Sequence, residues 1–153
     1  MTNSDENPGD PMSQAFDAAR AAAALGEVPV GAVIVRNGEI LGVGGNRTLL
    51  DRDPTAHAEM LAIRQAAQAL GSERLIGCDL YVTLEPCAMC AGAISFARLR
   101  RVYYAAQDPK GGAVEHGPRF FQQPTCHHAP DVYSGIRESE AADMLRDFFR
   151  ERR

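Results

Sequence analysis

Hydrophobic and polar positions alternate along the chain in blocks that read as helices and strands in turn. Met12 to Leu25 carries Met12, Phe16, Ala19 and Ala23 on one stripe, the spacing of an amphipathic helix, and Gly26 is its stop. Gly31 to Val35 is an unbroken apolar run, which predicts a buried strand. Asn37-Gly38 is the signal of a tight hairpin, so Ile40 to Gly44 is the returning strand. A polar loop follows from Gly45 to Thr55. The helical period returns from Ala56 to Leu70, with Met60, Ile63, Ala67 and Leu70 on one face and Gly71 closing it. Asp79 to Leu84 is a strand. Pro86 pre-sets the first turn of a helix from Cys87 to Arg98. Arg101 to Ala106 is a strand, Asp131 to Gly135 a fifth, and Glu138 to Arg152 a last helix with Ala141, Met144, Leu145 and Phe148 as its stripe. Residues 113–130 hold three prolines and no period, which predicts irregular structure.

The order is α-β-β-α-β-α-β-β-α. The opening hairpin is antiparallel and the later strand–helix alternation implies parallel neighbours. The fold class is therefore α/β, a mixed sheet with helices on both faces. At 153 residues the chain is one domain. Residues 1–10, acidic and rich in Asn and Pro, read as a disordered tail, leaving 11–153 as the folded unit. That opening stretch also lacks the basic and apolar regions of a secretion signal, so a cytoplasmic protein is expected. No apolar run is long enough for a membrane span, and no membrane partner is expected.

Net charge is −4, which disfavours a generally basic nucleic-acid binder. The charge is uneven, however. Residues 1–90 sum to −6 and residues 91–153 to +2, so a local basic surface in the second half stays open. Four cysteines in a chain of this length do not make a disulfide scaffold. Two of them form Cys87-Ala88-Met89-Cys90, and a C-x-x-C by itself is a redox pair or half of a structural zinc site as readily as part of an active site.

The decisive addition is His57-Ala58-Glu59, thirty residues upstream. One imidazole and two thiols are three zinc ligands, and a catalytic zinc keeps its fourth position open for water. Cys87 and Cys90 are three apart at a helix start and share a face, where the helix N-terminus favours thiolates. His57 and Glu59 would splay about 200° apart in mid-helix. At a helix start, with one residue still outside helical geometry, they converge. Glu59 then stands beside the metal without binding it, placed for proton transfer. Cys126-His127-His128 offers metal-binding side chains too, but adjacent residues in one loop do not easily share an ion, and a half-buried loop cysteine is the better reading.

H-x-E followed by P-C-x-x-C is the signature for which the zinc base deaminases are themselves the type case. The chain resembles that superfamily, the zinc-dependent cytidine and deoxycytidylate deaminases. Within it, the chain is similar to the bacterial tRNA-specific adenosine deaminases. The segments that carry the likeness are residues 27–33, 45–47, 53–59, 80–93 and 147–150, within a collinear match from about Met12 to Arg153. The resemblance implies a three-layer α/β/α fold with a five-stranded mixed sheet, like that of cytidine deaminase. It implies one Zn2+ per chain with a catalytic water, held by His57, Cys87 and Cys90, with Glu59 as the proton shuttle. Asn46 falls where an asparagine hydrogen-bonds the target base, Ala58 where a backbone N–H meets it, and Val28 and Pro29 where the pocket wall stands. Asp108, Lys110, Phe149 and Arg152 fall where the family meets the anticodon loop.

The implied reaction is hydrolytic deamination of a wobble adenosine in a tRNA anticodon to inosine. The implied partners are a tRNA anticodon stem-loop and a second copy of the chain, with no DNA expected. Residues 107–114, through Pro109, and residues 115–130 depart from the commoner pattern near the substrate mouth. They keep open the same chemistry on a free nucleobase such as guanine or cytosine. A deaminase-like subunit without activity would typically lack the shuttle, and Glu59 is present.

Overall fold

The structure, a computed structural model, describes residues 9–152. The proposed tail therefore lies outside the described residues from position 1 to 8. Its last two residues do not fit the expectation: Gly9 and Asp10 lead directly into the first helix, and Asp10 accepts a hydrogen bond from the Gln14 backbone N–H at 3.1 Å.

Four helices and five strands follow the predicted order: α1 (Pro11–Ala24), β1 (Gly31–Arg36), β2 (Glu39–Gly45), α2 (Ala58–Leu70), β3 (Asp79–Leu84), α3 (Ala88–Ala97), β4 (Arg101–Ala106), β5 (Asp131–Ser134) and α4 (Glu138–Arg150). One sheet runs β2-β1-β3-β4-β5. β1 is antiparallel to both neighbours, and β3, β4 and β5 are parallel. The hairpin turn has Asn37 and Gly38 both at positive φ, 50° and 78°, as a tight twisted turn requires.

Each face of the sheet has its own core. Ile34, Leu80, Val82, Val102 and Tyr104 pack under α2 and α3. Val33, Val35 and Ala105 pack under α1 and α4 with Met12, Phe16 and Ala141. Alternation along each strand divides its residues between these two layers. On the α1 and α4 side, Tyr81, Tyr103 and Tyr133 stack across three strands with centroids 4.5 and 5.0 Å apart.

Two helix faces differ from the expected stripes. In α1, Ala23 is only half-buried and Ala22 is buried beside Ala15 and Ala19. In α2 the buried face is Ala58, Ala62 and Ala66, with Ile63, Ala67 and Leu70 at its edge. The reason lies on the strand beneath. A Cβ at Gly42 would sit 2.3 Å from the Ala62 carbonyl oxygen, and one at Gly44 2.3 Å from that of Ala58. Helix backbone rests on bare strand, so only alanine fits between them. α1 lies as close over Gly31, where a Cβ would come 1.9 Å from the Ala15 carbonyl oxygen.

This topology decides where a site can form. Because β1 opposes β3, the start of β1 and the ends of β2 and β3 share one end of the sheet. Each of those strand ends carries a loop or a helix start to the same place, as open α/β sheets do at their carboxyl edges. No helix among the described residues is long and apolar enough to cross a membrane.

Candidate active site

α2 begins at Ala58 and α3 at Ala88, each slightly inside the expected start, because the ligand candidates are themselves the capping residues. His57 caps α2 and Cys87 caps α3, both with extended backbone. His57 therefore stands outside helical geometry, as its pairing with Glu59 requires. Cys90 lies within the first turn of α3 and is fully buried.

His57, Cys87 and Cys90 form the one group of potential metal ligands among the described residues, with their ligand atoms all within 4.8 Å of one another. The Cys87 Sγ is 3.5 Å and the Cys90 Sγ 3.6 Å from the His57 Nδ1. Around a tetrahedral zinc, with bonds of about 2.3 Å to sulfur and about 2.0–2.1 Å to nitrogen, a sulfur and a nitrogen ligand stand about 3.6 Å apart. Both sulfur–nitrogen separations match that spacing. Their ionisation agrees with this. The Cys90 thiol donating to it, against the cost of burial and with His57 alongside, brings the Cys87 thiol down to about 4. The Cys90 thiol is pushed up by the same contact and by burial, so without an ion the two share one proton. The Cys87 hydrogen bond raises His57.

Glu59 is 4% exposed and reaches the same cavity. Burial pushes its carboxyl up to about 7, with the Cys87 sulfur adding to the rise and its own backbone N–H and His57 opposing it. An acid that changes protonation near neutral pH is what a proton shuttle needs.

The cavity holds about 380 Å³, within the range of small-molecule sites. Val28, Asn46 and Ala58 line it together with His57, Glu59 and Cys87, and so does Asp108, which the resemblance had placed at the anticodon loop. Asn46 is 8% exposed, and its Oδ1 has no hydrogen-bond partner among the described residues. A buried polar atom left unpaired is costly, so this amide is set to meet a ligand. Ala58 is the first residue of α2, and its backbone N–H has no partner within the helix.

Four expected substrate contacts lie off this cavity. Pro29 is buried between Val28 and Val30, and the alternation of an extended chain turns it away while those two line the wall. Lys110 is exposed on the turn after β4. Phe149 is half exposed on α4, which packs on the opposite face of the sheet. Arg152 places its guanidinium 3.6 Å from the centroid of the Phe148 ring.

Val30, Thr48, Leu84, Glu85 and Gly111 also line the cavity, and the sequence reading missed them. Val30 and Leu84 could have been found by extending the strands that flank the motifs. Glu85 was visible only as the neighbour of Pro86. Each rim of the cavity is tied down by one buried carboxylate. Glu27, fully buried, accepts the backbone N–H groups of Leu49 at 3.2 Å and Leu50 at 2.7 Å. Glu85 accepts N–H groups from the far loop: Asp108 on Oε1 at 3.0 Å, and Val114, Glu115 and His116 on Oε2 at 3.0–3.1 Å. Burial alone would raise Glu85, but these bonds and the His116 ring hold it below the ordinary carboxylate value. Residues 113–130 are irregular, as expected, apart from one 3-10 turn at Phe120–Gln122. Cys126 contacts the Ser95 hydroxyl at 3.4 Å and the His128 ring contacts the Leu99 carbonyl at 2.8 Å, which is a structural loop.

Residues 6–106 match the cytidine and deoxycytidylate deaminase zinc-binding region. A tRNA-specific adenosine deaminase of Agrobacterium fabrum is 66% identical over 142 residues, covering 93% of each chain. A solved structure from a study of A-to-I editing by tRNA A34 deaminases superposes with a TM-score of 0.87. It is 64% identical and covers 88% of this chain and 98% of that one. A guanine deaminase from Bacillus subtilis superposes with a TM-score of 0.61 at 44% identity, over 63% of this chain and 62% of that one.

Proposed function

The chain belongs to the cytidine and deoxycytidylate deaminase family, and from that premise we propose that it converts the wobble adenosine of a tRNA anticodon to inosine, consuming water and releasing ammonia. The observation that carries the chemistry is the meeting of His57, Cys87 and Cys90 with a buried acid, Glu59, in one cavity that also holds an unpaired amide. The substrate is carried by the 66% identical relative, which acts on tRNA adenosine.

His57, Cys87 and Cys90 hold one Zn2+ in this reading. When bound there, the ion would make a water molecule nucleophilic at neutral pH for attack on the base at C6. Glu59 does the proton work. Its carboxylate takes one proton from the attacking water and delivers it to a ring nitrogen, then takes the proton of the new C6 hydroxyl and passes it to the departing amine. One water enters and one ammonia leaves, so the shuttle ends as it began. Asn46 meets the base with its free amide end and Ala58 with its backbone N–H. Val28 and Val30 flank the base and keep bulk water away.

An anticodon loop suits this pocket, because its bases are already unpaired and cost little to splay out. Lys110, Phe149 and Arg152 lie outside the base cavity, so their contribution is to the loop around the flipped base. We infer a homodimer with tRNA reaching both subunits, and the cytoplasm, where tRNA resides, as the compartment.

The test is ammonia release from an anticodon stem-loop with a wobble adenosine, run beside free guanine, cytosine and adenosine. Turnover on the stem-loop alone is expected. Turnover on a free base alone would keep the zinc chemistry and overturn the substrate.

A further inference from the structure

Glu85 stands two positions before the first cysteine of the C-x-x-C motif, and its carboxylate is bonded to the loop after β4. Four backbone N–H groups converge on it, from residues separated by up to eight positions in the chain. The His116 ring closes the arrangement, its Nδ1 donating to Oε1 at 2.7 Å. The side chain of Glu85 is fully buried and that of His116 is 28% exposed, so the imidazole seals the carboxylate from water. A Cβ at Gly112 would sit 2.4 Å from both the Glu85 Cδ and Oε2, so only a glycine lets the loop approach this far. Asp108 and Gly111, which this loop carries, line the cavity.

We propose that Glu85 and His116 are a positioning pair that sets the shape of the substrate mouth. Glu85 is the post on which the 108–116 loop is wound, and His116 is its lock. The loop has no ladder of its own, since neither a strand nor an α-helix lies between Ala106 and Asp131. Its order comes from acceptors set around it: Glu85 gathers four of its N–H groups, Asp108 Oδ1 accepts those of Lys110 and Gly111, and the Pro86 carbonyl accepts that of Ala113. The inference rests on the function proposed above, and it deepens that reading. It says that this chain holds its rim through a side-chain contact at position 116.

Two measurements test it on the full, zinc-loaded chain. The first needs no substrate: amide hydrogen exchange in peptides spanning 108–116, for the parent, His116→Ala and His116→Asn. Loss of one hydrogen bond to a charged group should speed exchange there by about tenfold or more, with α2 peptides unchanged. Asn places an amide N–H where Nδ1 stood and should restore protection. The second is steady-state kinetics on the stem-loop. His116→Ala should raise KM by about tenfold while kcat moves by less than about threefold and zinc content stays at one per chain, and His116→Asn should recover the parent KM. Gly112→Ala, which strikes the same carboxylate from the other side, should reproduce the KM effect. Unchanged exchange at 108–116 in His116→Ala would overturn the proposal. So would a loss confined to kcat, or an equal loss in the Asn variant. If the parent does not turn over the stem-loop, the proposed function fails instead, and the exchange result still decides the role of the pair.

Discussion

Replacing Glu59 by Gln should yield an inactive chain that is more stable than its parent, in a pH-dependent way. The carboxyl is buried, and burial pushes it up to about 7 from the ordinary 4.5 by penalising its charged form. At about 1.4 kcal/mol for each factor of ten, keeping it ionised costs the folded chain about 3 kcal/mol. The sign follows from linkage. The folded pKa lies above the unfolded one, so the folded state binds the proton more tightly. The favourable contribution is complete below pH 4.5 and is lost as pH rises through 7. A neutral amide of the same shape does not titrate.

In urea unfolding of chelator-treated protein, Glu59→Gln should therefore exceed the parent by about 3 kcal/mol at pH 8 and by less than about 1 kcal/mol at pH 5. His57, Cys87 and Cys90 are the titrating groups around it, and because they interact with Glu59 the difference reports position 59 together with its effect on them. The same variant should still bind one zinc, since Glu59 lies outside the ligand set. It should lose about 10²–10⁴-fold in kcat for each proton transfer it serves. A Glu59→Gln chain no more stable than the parent at pH 8, or equally stabilised at both pH values, would refute the reasoning. Activity near the parent's would refute the shuttle.

Cys87→Ala should lose the metal, and a melting scan shows it: chelator should lower the parent Tm and leave the variant's unchanged. Asn46→Ala should weaken stem-loop turnover by at least about tenfold, through kcat/KM, because its buried Oδ1 has no other partner among the described residues. Gly44→Ala should destabilise by about 1–3 kcal/mol or more, since its Cβ meets helix backbone at 2.3 Å, and zinc titration should show weaker binding as the start of α2 is displaced. Phe149→Ala should leave Tm within about 2 °C of the parent's, because the ring is half exposed, while lowering affinity for the stem-loop.

The parts of this molecule that local pattern encodes were legible. β3 and β4 were read to the residue, because each is a short apolar run bounded by turn residues and buried on both faces. The metal triangle was legible because residue type and spacing define it before any fold is known. The helix starts at 58 and 88 were not, since the capping residues are the ligand candidates and carry none of the usual capping side chains. The alanine face of α2 was hidden because its partner is two glycines on another strand, and alanine gives a weak hydrophobic signal beside Met60 and Leu70. Arg98 ends α3 in the left-handed region at φ 62°, where sequence rules look for glycine. The loop from 107 to 130 was opaque for a deeper reason. Its order is imposed by a carboxylate more than twenty residues away, and no local period records that.

The bare contact between the β1–β2 hairpin and its two helices has a consequence for how this protein can change over evolutionary time. A side-chain layer can absorb a substitution by rotating or repacking its neighbours. Where carbonyl oxygens of α1 and α2 rest on Gly31, Gly42 and Gly44, there is no such layer, so a larger residue has to displace a whole helix. One of those helices, α2, is capped by His57. Drift in that hairpin would therefore be removed by selection through loss of the metal before any change in specificity could be tried. The rim loops, which contain no α-helix and are held by side-chain and backbone hydrogen bonds, are the part of the molecule with more room to explore new substrates.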